Sequence, residues 1–167
     1  MKLKEKIQED LKKSQKERNE LKVSVLRLLL SSLFNKEKEK RYKVYQANTN
    51  TAGKELNDKS HLTDEEITEV ISSEIKKRRE AALEFEKGRR QDLAEKEKKE
   101  MEILKSYLPE QMPEEEIRKL VKDIINKVGA KEQKDMGKVM AQLMPKVKGK
   151  ADGSLVSGIV KELLSGK

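Results

Sequence analysis

The sequence has no cysteine. Disulfides, thiolate metal sites and thiol catalysis are therefore excluded, and the lack of disulfides sets the expectation of a cytoplasmic protein. It also lacks a long apolar run. The most apolar cluster, Val25 to Leu30, is interrupted by Arg27, whereas a membrane span needs about 20 mostly apolar residues. The cluster reads as a buried helix, and no membrane partner is expected. From Met1 to Lys13 charges alternate without an apolar core, so no signal peptide is expected. Aromatic residues make up only 3%, and there is one histidine, His61.

Charge is abundant: 42% of residues are charged against 34% hydrophobic. That composition lies near the border of disorder, but the apolar residues recur at helical spacing, which argues for folding. The net charge of +8 is uneven: +7 over residues 1–60, −3 over 61–110 and +4 over 111–167. Basic ends beside an acidic middle suit a polyanionic partner, and equally suit a solvated helical surface.

The spacing predicts an all-α chain. Leu3, Ile7 and Leu11 mark a first helix from Lys2 to about Gln15. A second, from about Asn19 to Arg41, carries Leu21, Val25, Leu28, Leu29 and Leu33 on one side, widened by Leu26, Leu30 and Phe34. So broad a band predicts more than one neighbour. Residues 42–60, with Asn48, Asn50, Gly53, Asn57 and Asp58, read as a long loop or insertion. Thr63 and Glu66 form a capping box before a helix bearing Ile67, Val70, Ile71, Ile75, Ala82 and Phe85. Gly88 is the expected left-handed stop and Asp92 the expected cap of a fourth helix with Ala94, Met101 and Leu104. The last two form a hairpin.

Pro109 and Pro113 break helix continuity. The expected organisation is an N-terminal bundle over 1–108, a linker at 109–113 and a small three-helix C-terminal domain over 114–167. Within the latter, Ile117 to Val128 form a helix ended by Gly129. A short helix spans about Lys134 to Met144, ended with the help of Pro145. Asp152 caps the last helix, with Leu155, Val156, Ile159 and Val160.

Three segments carry a family resemblance. They are Tyr107-Leu108-Pro109-Glu110-Gln111-Met112, the hairpin turn Glu84 to Leu93, and Asp135-Met136-Gly137-Lys138-Val139-Met140 continued by Met144 to Gly153. The chain resembles YqeY-like proteins of the GatB/YqeY family along nearly its whole length, residues 41–60 excepted. The resemblance implies a bundle of long helices followed by a small helical domain. That domain is similar to the tail of the GatB subunit of glutamine-dependent tRNA amidotransferase, which contacts tRNA. It also implies an association with carbon–nitrogen ligase activity using glutamine as amido-N-donor, an analogy at the level of fold.

The residues offer little chemistry of their own. Ser31-Ser32 and Ser72-Ser73 lie inside predicted helices without a base close in sequence, which a nucleophilic serine requires. His61 stands beside the variable segment, and Glu95, Glu97 and Glu100 read as helix-surface carboxylates. No metal-ligand spacing or phosphate-cradling glycine loop appears. No catalytic residue, cofactor or metal is expected. The run Lys76-Lys77-Arg78-Arg79 surrounds its helix and is expected to pair with Glu74 and Glu80.

Residues 146–153 differ. Lys146, Lys148 and Lys150 alternate with open backbone, Gly149 and Gly153 let a ligand approach, and a helix start follows. With Lys138 they form the candidate phosphate contact for tRNA or another structured RNA. The same glycines and Asp152 also fit plain turn and cap chemistry. Few aromatics direct recognition toward backbone and shape, not base stacking. The expected function is an RNA-binding accessory protein without its own catalytic centre. A protein-interaction adaptor and a carbon–nitrogen ligase component remain open alternatives.

Overall fold

The structure, a computed structural model, describes residues 2–47 and 53–165. Every regular element among the described residues is helical, and the chain divides into two compact units, Met1–Tyr107 and Leu108–Lys167.

The first unit contains α1 (Leu3–Lys16), α2 (Glu20–Ala47), α3 (Gly53–Ser60), α4 (Asp64–Lys87) and α5 (Gln91–Lys105). The helix α2 extends about 42 Å and is the spine of this unit: α1, α3, α4 and α5 all pack on it. Its Val25, Leu26, Leu29 and Leu33 are buried with Ile7 of α1, Ile67 and Ile71 of α4, and Ala94 and Leu104 of α5. The broad apolar band predicted for α2 is thus only partly a core face. Leu28 is 52% exposed and Phe34 55% exposed, because both turn toward solvent away from the Leu26–Leu29–Leu33 seam.

Residues 42–60 differ from the expected loop. Helix α2 continues to Ala47, and Gly53 to Ser60 form α3 against it. Leu56 is buried, the Ser60 hydroxyl donates to the Leu56 carbonyl at 2.7 Å, and Arg41 donates to Asn57 across the pair. Residues 48–52, with Asn48 and Asn50, lie outside the described residues.

The capping box at Thr63 is present: its hydroxyl accepts from the Glu66 N–H at 3.3 Å and its own N–H donates to Glu66 at 2.8 Å. At the far end of α4, Gly88 has φ −77° and the left-handed residue is Arg89, at φ 56°. The Arg90 N–H reaches the Phe85 carbonyl and the Arg89 N–H that of Glu86, the paired bonds of a Schellman turn. Arg18 closes α1 in the same way, with Asn19 bonded to Ser14. Asp92 does not cap α5. It lies inside the first turn, where it pairs with Arg90, the residue at the cap position.

The α4–α5 hairpin encloses a buried ion pair. Arg78 Nε donates to Glu100 Oε2 at 3.1 Å and its Nη1 to Glu74 Oε2 at 2.9 Å. Both side chains are 9% exposed, so Glu100 is not the surface carboxylate that the sequence suggested. Lys77 pairs with Glu74 and Lys76 with Glu80, as expected for this run. Where α5 ends, the Tyr107 hydroxyl donates to Asp10 of α1 at 2.7 Å.

The second unit comprises α6 (Glu114–Val128), a 3-10 turn (Gln133–Asp135), α7 (Met136–Val147) and α8 (Gly153–Ser165). Ile117, Val121, Ile124 and Ile125 of α6 meet Val139, Leu143 and Val147 of α7 and Val156, Ile159, Val160 and Leu164 of α8. Gly129 ends α6 at φ 65°, a left-handed position that disfavours any residue with a Cβ. Pro145 lies within α7 and does not end it; the helix runs on to Val147. The carbonyl that loses its helical donor to Pro145 belongs to exposed Ala141, where solvent can replace it.

Candidate nucleic-acid interface

The candidate lysines are supplied by the end of α7 and the turn before α8. Val147 is buried in the core while Lys146, Lys148 and Lys150 on either side of it are exposed. This alternation fixes the turn on its apolar residue and leaves the cationic ones in solvent. Gly149 takes φ 73°, so here the glycine is required. The Lys150 and Ala151 N–H groups both donate to the Val147 carbonyl, at 2.9 and 3.0 Å.

The segment after Pro109 ties this turn in place. The Met112 N–H donates to the Lys150 carbonyl at 2.7 Å, and the Gln111 side-chain amide donates to the carbonyls of Gly149 and Pro109, both at 2.8 Å. The Gly149 and Lys150 carbonyls of the turn are thereby engaged by Gln111 and Met112. Sequence reasoning treated residues 109–113 as a linker and missed this lacing. Its only trace is the Gln111-Met112 pair inside the family-like segment.

Two expected members of the site behave differently from the lysines of the turn. Lys138 lies about 12 Å along the helix axis from Lys146, and its ammonium pairs with Asp135 at 3.1 Å. The Asp135 carboxyl is held below its ordinary value, first by the Lys131 N–H and then by Lys138. Lys138 is therefore apart from the turn and partly neutralised. Gly153 begins α8 without a positive φ, and a Cβ there would meet nothing within 4 Å. It shapes no close approach.

The start of α8 is already occupied. Asp152 Oδ1 accepts from the N–H groups of Ser154 at 2.8 Å and Leu155 at 3.1 Å. The carboxylate takes the donors that an incoming phosphate would use. What remains is a cationic turn: Lys146 and Lys150 form no ion pair among the described residues, and Lys148 is exposed between them.

The serines and histidine weighed for catalysis fall elsewhere. Ser32 donates to Glu74 at 3.3 Å, and Glu74 also accepts from Lys77 at 2.8 Å. Burial works to raise the Glu74 pKa, but Lys77 and Arg78 outweigh it and hold the carboxyl below its ordinary value, which weakens it as a base for Ser32. His61 is exposed, 3.6 Å from Glu37, which is itself paired with Lys4. A cleft of about 410 Å³ between α2 and α4 is lined by Ser32, Lys36, Glu39, Ser73, Glu74 and Lys77, with charges of both signs and no dominant one. Among the described residues no group of three or more His, Asp or Glu side chains is placed to hold a metal, and no helix is long and apolar enough to cross a membrane.

Comparison with known proteins places this architecture. The altered inheritance of mitochondria protein 41, mitochondrial, of Pyrenophora tritici-repentis is 29% identical over 96% of this chain and 80% of its own length. The protein of the same name from Clavispora lusitaniae is 31% identical over 72% of this chain and 61% of its own length. An uncharacterised protein of Schizosaccharomyces pombe is 34% identical over 54% of this chain and 73% of its own. Two of these relatives are named mitochondrial, which overturns the cytoplasmic expectation. That expectation rested on missing disulfides, a property shared by any reducing compartment. The model of the Yqey-like protein family matches residues 4–164, and the chain belongs to that family.

Proposed function

We propose that this protein is an RNA-binding accessory factor, with tRNA or a similarly folded RNA as ligand, that acts by presenting charge and contains no catalytic centre of its own. The observation that carries the reading is the turn after α7. Three exposed lysines within five residues stand on a backbone whose Gly149 and Lys150 carbonyls accept from Gln111 and Met112. Phosphate contacts of this kind supply affinity without reading sequence. The likeness of the C-terminal motifs to the amidotransferase tail supports the same ligand class.

The contact set of this reading is Lys146, Lys148 and Lys150. Gly149 provides the left-handed turn. Lys138 and Gly153 are not needed. The test is binding of total tRNA to the full chain across a salt series. Replacing the three lysines by alanine is expected to weaken binding and to reduce the slope of log affinity against log salt by about 0.7–0.9 per lost contact. Lys138→Ala is expected to leave the slope unchanged. No tRNA binding by the intact chain, or an unchanged slope in the triple variant, overturns the reading.

A further inference from the structure

The exposed side of α2 carries a pattern that its core-facing residues hide. With 3.6 residues per turn, Arg27, Phe34, Lys38, Arg41, Tyr42 and Tyr45 fall within a sector about 100° wide, opposite the buried seam. All six are exposed, and the three rings are 55%, 62% and 48% accessible for Phe34, Tyr42 and Tyr45. The chain has five Phe and Tyr residues in all, so most of its aromatic surface is gathered on this one face. From Ser24 to Ala47 no Asp or Glu falls in the sector. The two acids of this stretch point elsewhere, Glu37 pairing with Lys4 and Glu39 with Lys36.

Two of the cations lie between rings. The Lys38 ammonium lies 4.5 Å from the Phe34 ring centroid, within cation–π range. Arg41 donates to the neutral Asn57 side chain, not to a carboxylate. Phe34, Lys38, Arg41 and Tyr45 recur at intervals of four, three and four residues, a row about 16 Å long. Two positive charges flanked by flat rings, with no acid between them, offer a flexible strand both phosphate contacts and exposed stacking faces. A paired helix keeps its bases stacked inside and has no use for the rings.

We propose that this face of α2 binds a single-stranded segment of RNA, with bases stacked on Phe34 and Tyr45 and phosphates held by Lys38 and Arg41. The proposal takes its ligand class from the RNA-binding reading but rests on other residues, in the other unit. It revises the expectation, drawn from the small aromatic count, that stacking plays no part. A count reports how many rings there are, not that three share a surface.

The test uses the full chain with a labelled single-stranded oligoadenylate, a fully paired RNA hairpin and anionic phospholipid vesicles. Phe34→Ala with Tyr45→Ala is expected to weaken oligoadenylate binding by about tenfold per ring, with the salt slope unchanged. Phe34→Leu with Tyr45→Leu, which keeps apolar surface but removes the rings, is expected to give the same loss. Lys38→Gln with Arg41→Gln is expected to lower the slope by about 1.4, or about 0.7 per contact. Hairpin binding is expected to respond to the lysines of the turn and not to the rings. If the ring variants bind oligoadenylate normally while the intact chain binds it, the stacking face is wrong and the RNA reading stands. If the stripe variants lose only vesicle binding, the occupant is a membrane surface and the proposal is overturned. If neither RNA binds, both ideas fail together.

Discussion

The N–H of Met112 donates to the carbonyl oxygen of Lys150 at 2.7 Å, joining residues far apart in sequence. With the neighbouring bond from Gln111 to Gly149, it converts a lysine-rich turn into a fixed feature of the second unit. Fixing matters because an unconstrained lysine turn must lose backbone freedom on meeting a polyanion, at about 1–2 kcal/mol per residue.

Gln111→Ala removes two side-chain hydrogen bonds, those to Pro109 and Gly149. Gln111 is exposed, so the stability loss is expected at the low end of about 0.5–1.5 kcal/mol per bond. The clearer readout is amide exchange, which is expected to accelerate at Lys150 and Ala151. tRNA affinity is expected to fall with its salt slope intact, since every lysine remains. Unchanged exchange at both amides would show that the Gln111 bonds do not hold the turn.

The Arg78–Glu100 pair gives a stability prediction. Arg78→Ala leaves the Glu100 carboxylate buried in the α4–α5 hairpin without its partner, a change that costs about 3–5 kcal/mol. Replacing both residues with leucine removes the uncompensated charge and is expected to recover most of the loss, because Glu74 keeps Lys77. Urea unfolding midpoints of the single and double variants check this. A double variant as unstable as the single one would refute it.

Glu74 adds a pH dependence. Burial works against its ionisation, yet Lys77 and Arg78 prevail and the folded pKa lies below the ordinary glutamate value of 4.5. The unfolded chain therefore binds this proton more readily than the folded one. The stabilisation from Glu74 is full above that ordinary value and is lost as pH falls through the folded pKa. Glu74→Gln is expected to flatten the acid limb of the stability curve while lowering stability at neutral pH. A variant with the same acid limb as the parent would exclude Glu74 as a contributor.

The local signals that proved readable are those with a stereochemical cause confined to a few residues. Thr63 with Glu66, Gly129 before Ala130, and Asp152 ahead of α8 each satisfy or redirect named backbone groups. The extension of α2 and the existence of α3 were not legible, because Arg41 to Ala47 show no apolar period. Their helicity accompanies tertiary contact, with Leu56 buried and Asn57 bonded to Arg41. The end of α4 misled for a related reason. Gly88 is the obvious candidate for positive φ, but the chain places Arg89 there and accepts a strain of about 1–2 kcal/mol against two turn hydrogen bonds. At the candidate site, the lysines could be read from the sequence. The lacing of the turn by Gln111 and Met112 and the separation of Lys138 needed three dimensions.

The left-handed bend at Arg89 has a consequence for engineering the hairpin. Glycine at 89 would relieve the φ penalty, and alanine at 88 would meet only ordinary contacts, 3.4 Å to the Glu84 carbonyl oxygen being the nearest. Exchanging the order of small and large residues at this corner offers a way to harden the first unit against heat while leaving both candidate RNA surfaces unaltered.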